Sequence, residues 1–235
     1  MNLYAFPIST RVLAIVALKH HLGLDCELHP IDLGRGDQLT REYLALNPNR
    51  KMPTLTDDEF VLWESNAILF YMAAKHPESG LWPTDMRGQA DVLRWLAWEG
   101  AHWDAESCGM VAFEKASKAV LGLGEPDPAF IARGEHNFAR FAAVLDDHLK
   151  GRAWLIGERL TIADFSIGAF VPSAARLGLP VARFSEIGRW YEGLAALPAW
   201  RYALTAQHAA MIAWLAANGD KARAIEFVPR SGTSA

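Results

Sequence analysis

"NPNRKMPTLTDDEFVLWESNAI", residues 47–68, carries two prolines, an acidic pair and a Glu-Ser step directly before an apolar run. A proline cannot donate to a sheet ladder, so Pro53 marks the edge of a strand rather than its interior. Two short β-rich runs flank Asp57-Asp58 and predict a hairpin. Ser65 then stands where a helix N-cap belongs, and "SNAILFYMAAKH" continues as a helix until His76-Pro77.

Upstream, "NLYAF" at residues 2–6 alternates as a strand does, and "STRVLAIVALKHHLG" has helical apolar spacing that closes on Gly23. "CELHPIDL" reads as a second strand. "TREYLALN" reads as a short helix opened by Thr40 and stopped at Asn47-Pro48. The predicted order is therefore β-α-β-α-β-β-α. Downstream, "HPESGLWPTD" is rich in Pro, Gly and polar residues, which suits a junction between domains. Beyond it the pattern is helical: from Met86 to about Ser117, over residues 128–151, and in two stretches separated by Leu197-Pro198. These signals divide the chain into an α/β domain (1–77), a linker (78–86), an all-helical domain (87–220) and a disordered tail (221–235).

The 235 residues are 51% apolar, enough for a sizeable core, and the formal charge of −4 lacks the basic field that nucleic-acid binding needs. No basic n-region precedes an apolar h-region in "MNLYAFPIST", and no run of about 18 apolar residues occurs, so a soluble, cytoplasmic protein without a membrane span is expected. Cys26 and Cys108 stand far apart without a CxxC pattern and read as reduced thiols. The eight histidines form no tight ligand cluster, and His20-His21 point to different helix faces, so no metal site is expected.

Three motifs occur in order: Pro7 followed by Ser9 and Thr10 at a helix start, "KMPTL" leading into "WESNAI", and "LTIADFSIGA" with Thr161 and Asp164 at capping-box spacing. Together they resemble the cytosolic glutathione transferase family, in its serine type. The resemblance spans about residues 2–205 and implies a thioredoxin-like N-terminal domain joined to an all-α C-terminal domain.

Glutathione presents carboxylates at both ends and a thiol between them, and a helix N-terminus is a ready anion site. By resemblance, Ser65 binds the γ-glutamyl carboxylate, Glu64 positions that end, and Lys51 with Gln38 meets the glycine carboxylate. The resemblance also makes Pro53 a cis proline that turns the Met52 backbone toward the cysteinyl unit. The thiol needs activation: at pKa 8.5 only about 3% is thiolate at pH 7, and a donor at a helix start raises that fraction. Ser9 is the candidate donor, with Thr10, Tyr4 or a backbone N–H as alternatives. No cysteine occupies this turn, so the thiol arrives with the ligand.

Trp103, Phe113 and Trp214 are the candidates for an apolar acceptor pocket, although Trp95, Trp98 and His102 also form a stripe that suits interdomain core. Glu99, Asp104 and Glu106 are carboxylates with either a partner subunit or solvent to face. The implied protein is a homodimeric transferase that joins glutathione to hydrophobic electrophiles, with glutathione as co-substrate and no other cofactor. A glutathione-dependent disulfide reductase or peroxidase, and a non-catalytic ligand-binding or scaffolding module, are the alternatives.

Overall fold

Four short strands build one sheet in the order β2-β1-β3-β4, in a computed structural model that describes residues 1–219 and 221. β1 (Asn2–Ala5) runs parallel to β2 (Glu27–Pro30) because α1 (Thr10–His21) carries the chain back across the sheet between them. After α2 (Arg41–Leu46), β3 (Thr54–Asp57) pairs antiparallel with both β1 and β4 (Phe60–Trp63). The hairpin turn falls on Asp58-Glu59, shifted by one residue from the expected Asp57-Asp58, with Asp58 at φ 51°. α3 (Ser65–Ala74) completes the predicted order of elements. Thr40 caps α2 as its sequence suggests, accepting the Tyr43 N–H at 3.3 Å.

The remainder of the described chain is helical apart from two isolated bridges over Trp154–Arg159. α4 (Met86–Trp98) passes directly into a π-helical stretch, Glu99–Cys108, then one α turn, α5 (Gly109–Ala112). A second π-helical stretch, Phe113–Ser117, leads into α6 (Lys118–Leu121). The periodicity predicts an ordinary helix here. The widened turns are a correction, because they bring residues five apart into register and shift every following side chain around the axis. α7 (Pro128–Leu149), α8 (Ile162–Gly168), α9 (Phe170–Arg176), α10 (Ser185–Ala196) and α11 (Pro198–Ala217) follow. The tail expected from residue 221 lies, except for Lys221, outside the described residues.

One hydrophobic core runs through both halves: Leu13, Ile15 and Leu18 of α1 share it with Phe165 of α8, Trp190 of α10 and Trp200 of α11. α8 sits at its centre, and every residue from Ile162 to Gly168 is buried. Its start is the capping box expected from Thr161 and Asp164. The Asp164 carboxylate accepts the Leu155 N–H at 2.9 Å, the Thr161 N–H at 2.9 Å, the Thr161 hydroxyl at 3.1 Å and the Trp190 indole N–H at 2.9 Å. Burial pushes this carboxyl up to about 6 against those four donors. Asp164→Ala leaves buried donors without an acceptor, so it should cost about 3 kcal/mol or more of unfolding free energy in urea titration. Glutathione affinity measured on the folded fraction should change far less.

Candidate functional site

A cleft of about 300 Å³ opens between the two halves. The β1–α1 loop forms its floor with Phe6, Ile8, Ser9 and Thr10, and Met52 closes one side. Phe113 and Val120, from the long helical stretch, and Trp214 of α11 face them. The walls are mostly apolar, which suits a ligand with a large hydrophobic part.

Ser9 stands at the N-cap position of α1 with extended backbone, φ −62° and ψ 136°, yet its side chain makes no capping hydrogen bond. Its carbonyl instead accepts the Val12 and Leu13 N–H groups at 3.1 and 3.2 Å. The hydroxyl is therefore not committed to the helix end it stands on. Tyr4 stacks on His29 at 4.9 Å between ring centroids, and it does not line the cleft.

Beside the cleft, where Met52 lines it, lies a turn braced by side chains. The Tyr43 hydroxyl donates to the Lys51 carbonyl at 2.6 Å, and the Asn47 amide donates to the same oxygen at 2.8 Å. Both also bond the Thr54 hydroxyl. The Met52–Pro53 peptide is cis, and Arg50 holds φ 58°, a conformation that ordinarily favours glycine. Glu64 is strained likewise at φ 73°, ψ 118°, which costs on the order of 1–3 kcal/mol. Here the structure corrects the sequence: Glu64 occupies the N-cap position of α3, and Ser65 is its first helical residue. Lys51 and Glu64 are exposed, while Ser65 and Gln38 are buried.

Ser65 leads to the residue that sequence reasoning missed. Arg11 Nη1 donates to Ser65 Oγ at 2.8 Å, while Nη2 lies 2.5 Å from Asp104 Oδ2 and 3.2 Å from Glu99 Oε1. Glu99 is fully buried, and its Oε2 also accepts the Asn66 amide at 2.7 Å. Asn66 in turn donates to the Leu96 carbonyl and accepts the Ser166 hydroxyl. Burial works against charge on Arg11, but Glu99 and Asp104 outweigh it and hold the guanidinium above its ordinary pKa. For Glu99, burial dominates and raises the carboxyl despite Arg11. Asp104 reaches Arg11 because of the π-helical register: the Gly109 N–H donates to the Asp104 carbonyl, and a Cβ at Gly109 would stand 1.8 Å from Asp104 Oδ1. Only glycine leaves that carboxylate its place.

A family model described as "Glutathione S-transferase, N-terminal domain" matches residues 1–74, and "Glutathione S-transferase, C-terminal domain" matches residues 125–198. Glutathione S-transferase 3 of Zea mays is 32% identical over 214 residues, covering 88% of this chain and 94% of the maize protein. The chain belongs to the glutathione S-transferase family. Two solved glutathione transferases show the same architecture. Glutathione transferase F2 of Populus trichocarpa has a TM-score of 0.79 at 20% identity, covering 88% of this chain and 99% of that one, and shows the shared fold. A family member from Pseudomonas fluorescens, solved with two glutathione bound, is 28% identical with a TM-score of 0.76, covering 86% and 91% of the two chains.

Set in this glutathione transferase, the residues expected from the sequence divide into groups. Ser9, Met52, Phe113 and Trp214 line one cleft, and Ser65 joins it through Arg11. Gln38, Lys51, Pro53 and Glu64 do not line that cleft. Trp103 is a correction. It is buried in the helical core, stacked on Trp98 at 5.7 Å and tilted against Phe138 at 5.2 Å, so its stripe is packing rather than cleft wall. Glu99 and Asp104 are corrected too, because they face Arg11 of their own chain. Arg11 carried one sequence signal, a cation in the first turn of a mostly apolar helix, where the dipole disfavours it.

Arg11→Met strands a buried carboxylate and should lower stability by about 3–5 kcal/mol, measured by urea unfolding at pH 8. Glu99 binds its proton more tightly folded than unfolded, so the variant should lose stability as pH rises above the unfolded value near 4.3. The deficit should accordingly be smaller at pH 5, and adding Glu99→Gln should recover much of it at pH 8.

Proposed function

We propose that this glutathione transferase binds glutathione along the Lys51–Pro53 turn and the Glu64–Ser65 step, and transfers its thiolate to hydrophobic electrophiles. The observation that carries this reading is the Ser9 hydroxyl, uncommitted as a cap, at the start of α1 on the floor of an apolar cleft beside Met52. The Met52 N–H and C=O pair with the cysteinyl backbone as an added strand would. That places the sulfur toward Ser9, where a hydroxyl donor and the positive end of α1 favour the charged form. The γ-glutamyl carboxylate meets the α3 N-terminus and Ser65, with Arg11 fixing the Ser65 hydroxyl. Glu64 takes the ammonium of the same end. Lys51 and Gln38 serve the glycine carboxylate, and Phe113 with Trp214 packs on the electrophile.

The chemistry needs no second group. The thiolate sulfur forms a bond to an electrophilic carbon, and either a leaving group departs with the electron pair or the adjacent atom takes a proton. Neither protein cysteine enters, because both are buried and burial pushes both thiols up, Cys108 well above its usual range. A second reading is favoured by one observation, the two glutathione bound to the Pseudomonas relative. In it the same thiolate attacks a glutathione-containing disulfide, a thiol–disulfide exchange that also uses only bound thiols.

Exposed Phe60, Trp63 and Phe70, on β4 and α3, support a homodimer, since an apolar surface of this kind is ordinarily covered. No helix among the described residues is long and apolar enough to cross a membrane. A cytoplasmic role in removing reactive apolar compounds fits this chemistry.

Ser9→Ala should raise the pKa of bound glutathione, read as thiolate ultraviolet absorbance against pH, and lower turnover of a chlorinated nitroaromatic about 10-fold or more at pH 6.5. An unchanged titration removes Ser9 from the role. Ser65→Ala should instead weaken glutathione binding in calorimetry by about 10-fold, as loss of a charge-assisted hydrogen bond predicts. Capture on immobilised glutathione without turnover of any electrophile, disulfide or peroxide would leave a binding module.

A further inference from the structure

The loop that carries Ser9 is weakly supported from behind. A second cavity of about 230 Å³ lies there, lined by Pro7, Leu13 and Val16 on one side and by Ala203, Ala206 and Ala210 of α11 on the other. α11 packs along α1, but its alanines are too short to fill the space behind Pro7. Close packing therefore does not fix this part of the loop.

Gln207, at the edge of that cavity, does reach the loop. It is 6% exposed, and its Nε2 donates to the Ile8 carbonyl at 3.0 Å and to the Ser9 carbonyl at 3.2 Å. On the sheet side, the loop is tied by its own turn, with the Ser9 N–H donating to the Phe6 carbonyl at 2.9 Å. A single amide from the C-terminal helix thus holds two consecutive peptide groups, those that set the direction in which Ser9 projects. The Ser9 carbonyl also accepts the Val12 and Leu13 N–H groups, whereas the Ile8 carbonyl has Gln207 as its donor among the described residues, so losing the amide gives the Ile8–Ser9 peptide a reason to rotate.

We propose that Gln207 is a positioning residue for the transferase reaction, holding the Ile8–Ser9 backbone so that the Ser9 hydroxyl meets the glutathione sulfur. The inference rests on Ser9 as the thiol's donor. Its physical content is that the helical half of the chain sets the acidity of a thiol bound by the other half. Displacing a hydroxyl by about 1 Å is enough to weaken a catalytic contact substantially.

The test uses the full-length protein and glutathione itself. Gln207→Met keeps the length and removes the donors, and Gln207→Glu keeps the shape but turns an acceptor toward two carbonyls. Gln207→Lys restores a donor of similar reach. The Met and Glu variants should raise the pKa of bound glutathione by about one unit, with up to about 10-fold less thiolate at pH 6.5, and lower kcat in parallel. Their KM for glutathione should stay within about twofold, the split that distinguishes a misplaced hydroxyl from a damaged binding site. The Lys variant should titrate close to the unmodified protein. If Gln207→Met and Gln207→Glu fold and leave the thiol titration unchanged, or change only KM, the positioning role is overturned. Ser9→Ala is titrated alongside. A shift in Ser9→Ala without one in the Gln207 variants sinks the positioning role alone. A shift in the Gln207 variants without one in Ser9→Ala removes Ser9 as donor and leaves Gln207 holding a loop whose backbone donates instead.

Discussion

Arg11 is where the two halves of this protein depend on each other. Its guanidinium enters from the first turn of α1 and pairs with Glu99 and Asp104 of the helical half. A carboxylate as deeply buried as Glu99 is expensive alone, and removing its partner leaves that expense uncompensated. The same guanidinium lines the cleft and bonds Ser65. The guanidinium that joins the two halves therefore also fixes the Ser65 hydroxyl, at the end of the site proposed for the γ-glutamyl carboxylate. Asn66, one residue beyond Ser65, ties the same helix start to Leu96, Glu99 and Ser166 by three further hydrogen bonds. With so many fixed partners the α3 N-terminus cannot move independently of the helical half, which suits a site whose donors must be in place before the ligand arrives.

The widened helix from Glu99 onward is the local device that permits this arrangement. In an ordinary α-helix, residue 104 would sit above residue 108, whose side chain is a buried cysteine. The π-helical register sets it against Gly109 instead, and the absence of a Cβ there leaves room for the carboxylate beside Arg11. The same shift carries Phe113 to the cleft and leaves Trp103 in the core, against Trp98 and Phe138. A face assignment made at 3.6 residues per turn loses track of the side chains after such a stretch, which is why Trp103 and Phe113 looked alike in the sequence and part company in space.

Strain marks the site as well. Arg50 precedes the Lys51–Pro53 turn and Glu64 precedes Ser65, and both hold positive φ without being glycine. Such conformations persist only where surrounding bonds over-determine them. At the first, Tyr43 and Asn47 grip the Lys51 carbonyl, and at the second, α3 begins at once and its Ile68 N–H donates to the Glu64 carbonyl. Neither residue announces its backbone conformation in the sequence, since an Arg in a turn and a Glu before a helix are unremarkable there.

The sequence by itself determined the order of elements, a hairpin near Asp57-Asp58, the start of α2 at Thr40 and the capping box at Thr161 and Asp164. Each rests on residues near one another in the chain: a proline without an N–H, an oxygen three residues before a free N–H, an alternation of apolar side chains. It also placed Ser9 and Met52 in motifs whose order is specific enough to indicate the family. Tertiary structure alone decided that Arg11 would meet Glu99, that Gln207 would hold the Ile8–Ser9 backbone, and that Trp103 would be core. Those contacts join residues separated by 88, by 198 and 199, and by 35 positions. They arise from desolvating charges and packing surfaces brought together by the fold, and neither cost is visible until the partner elements are in place.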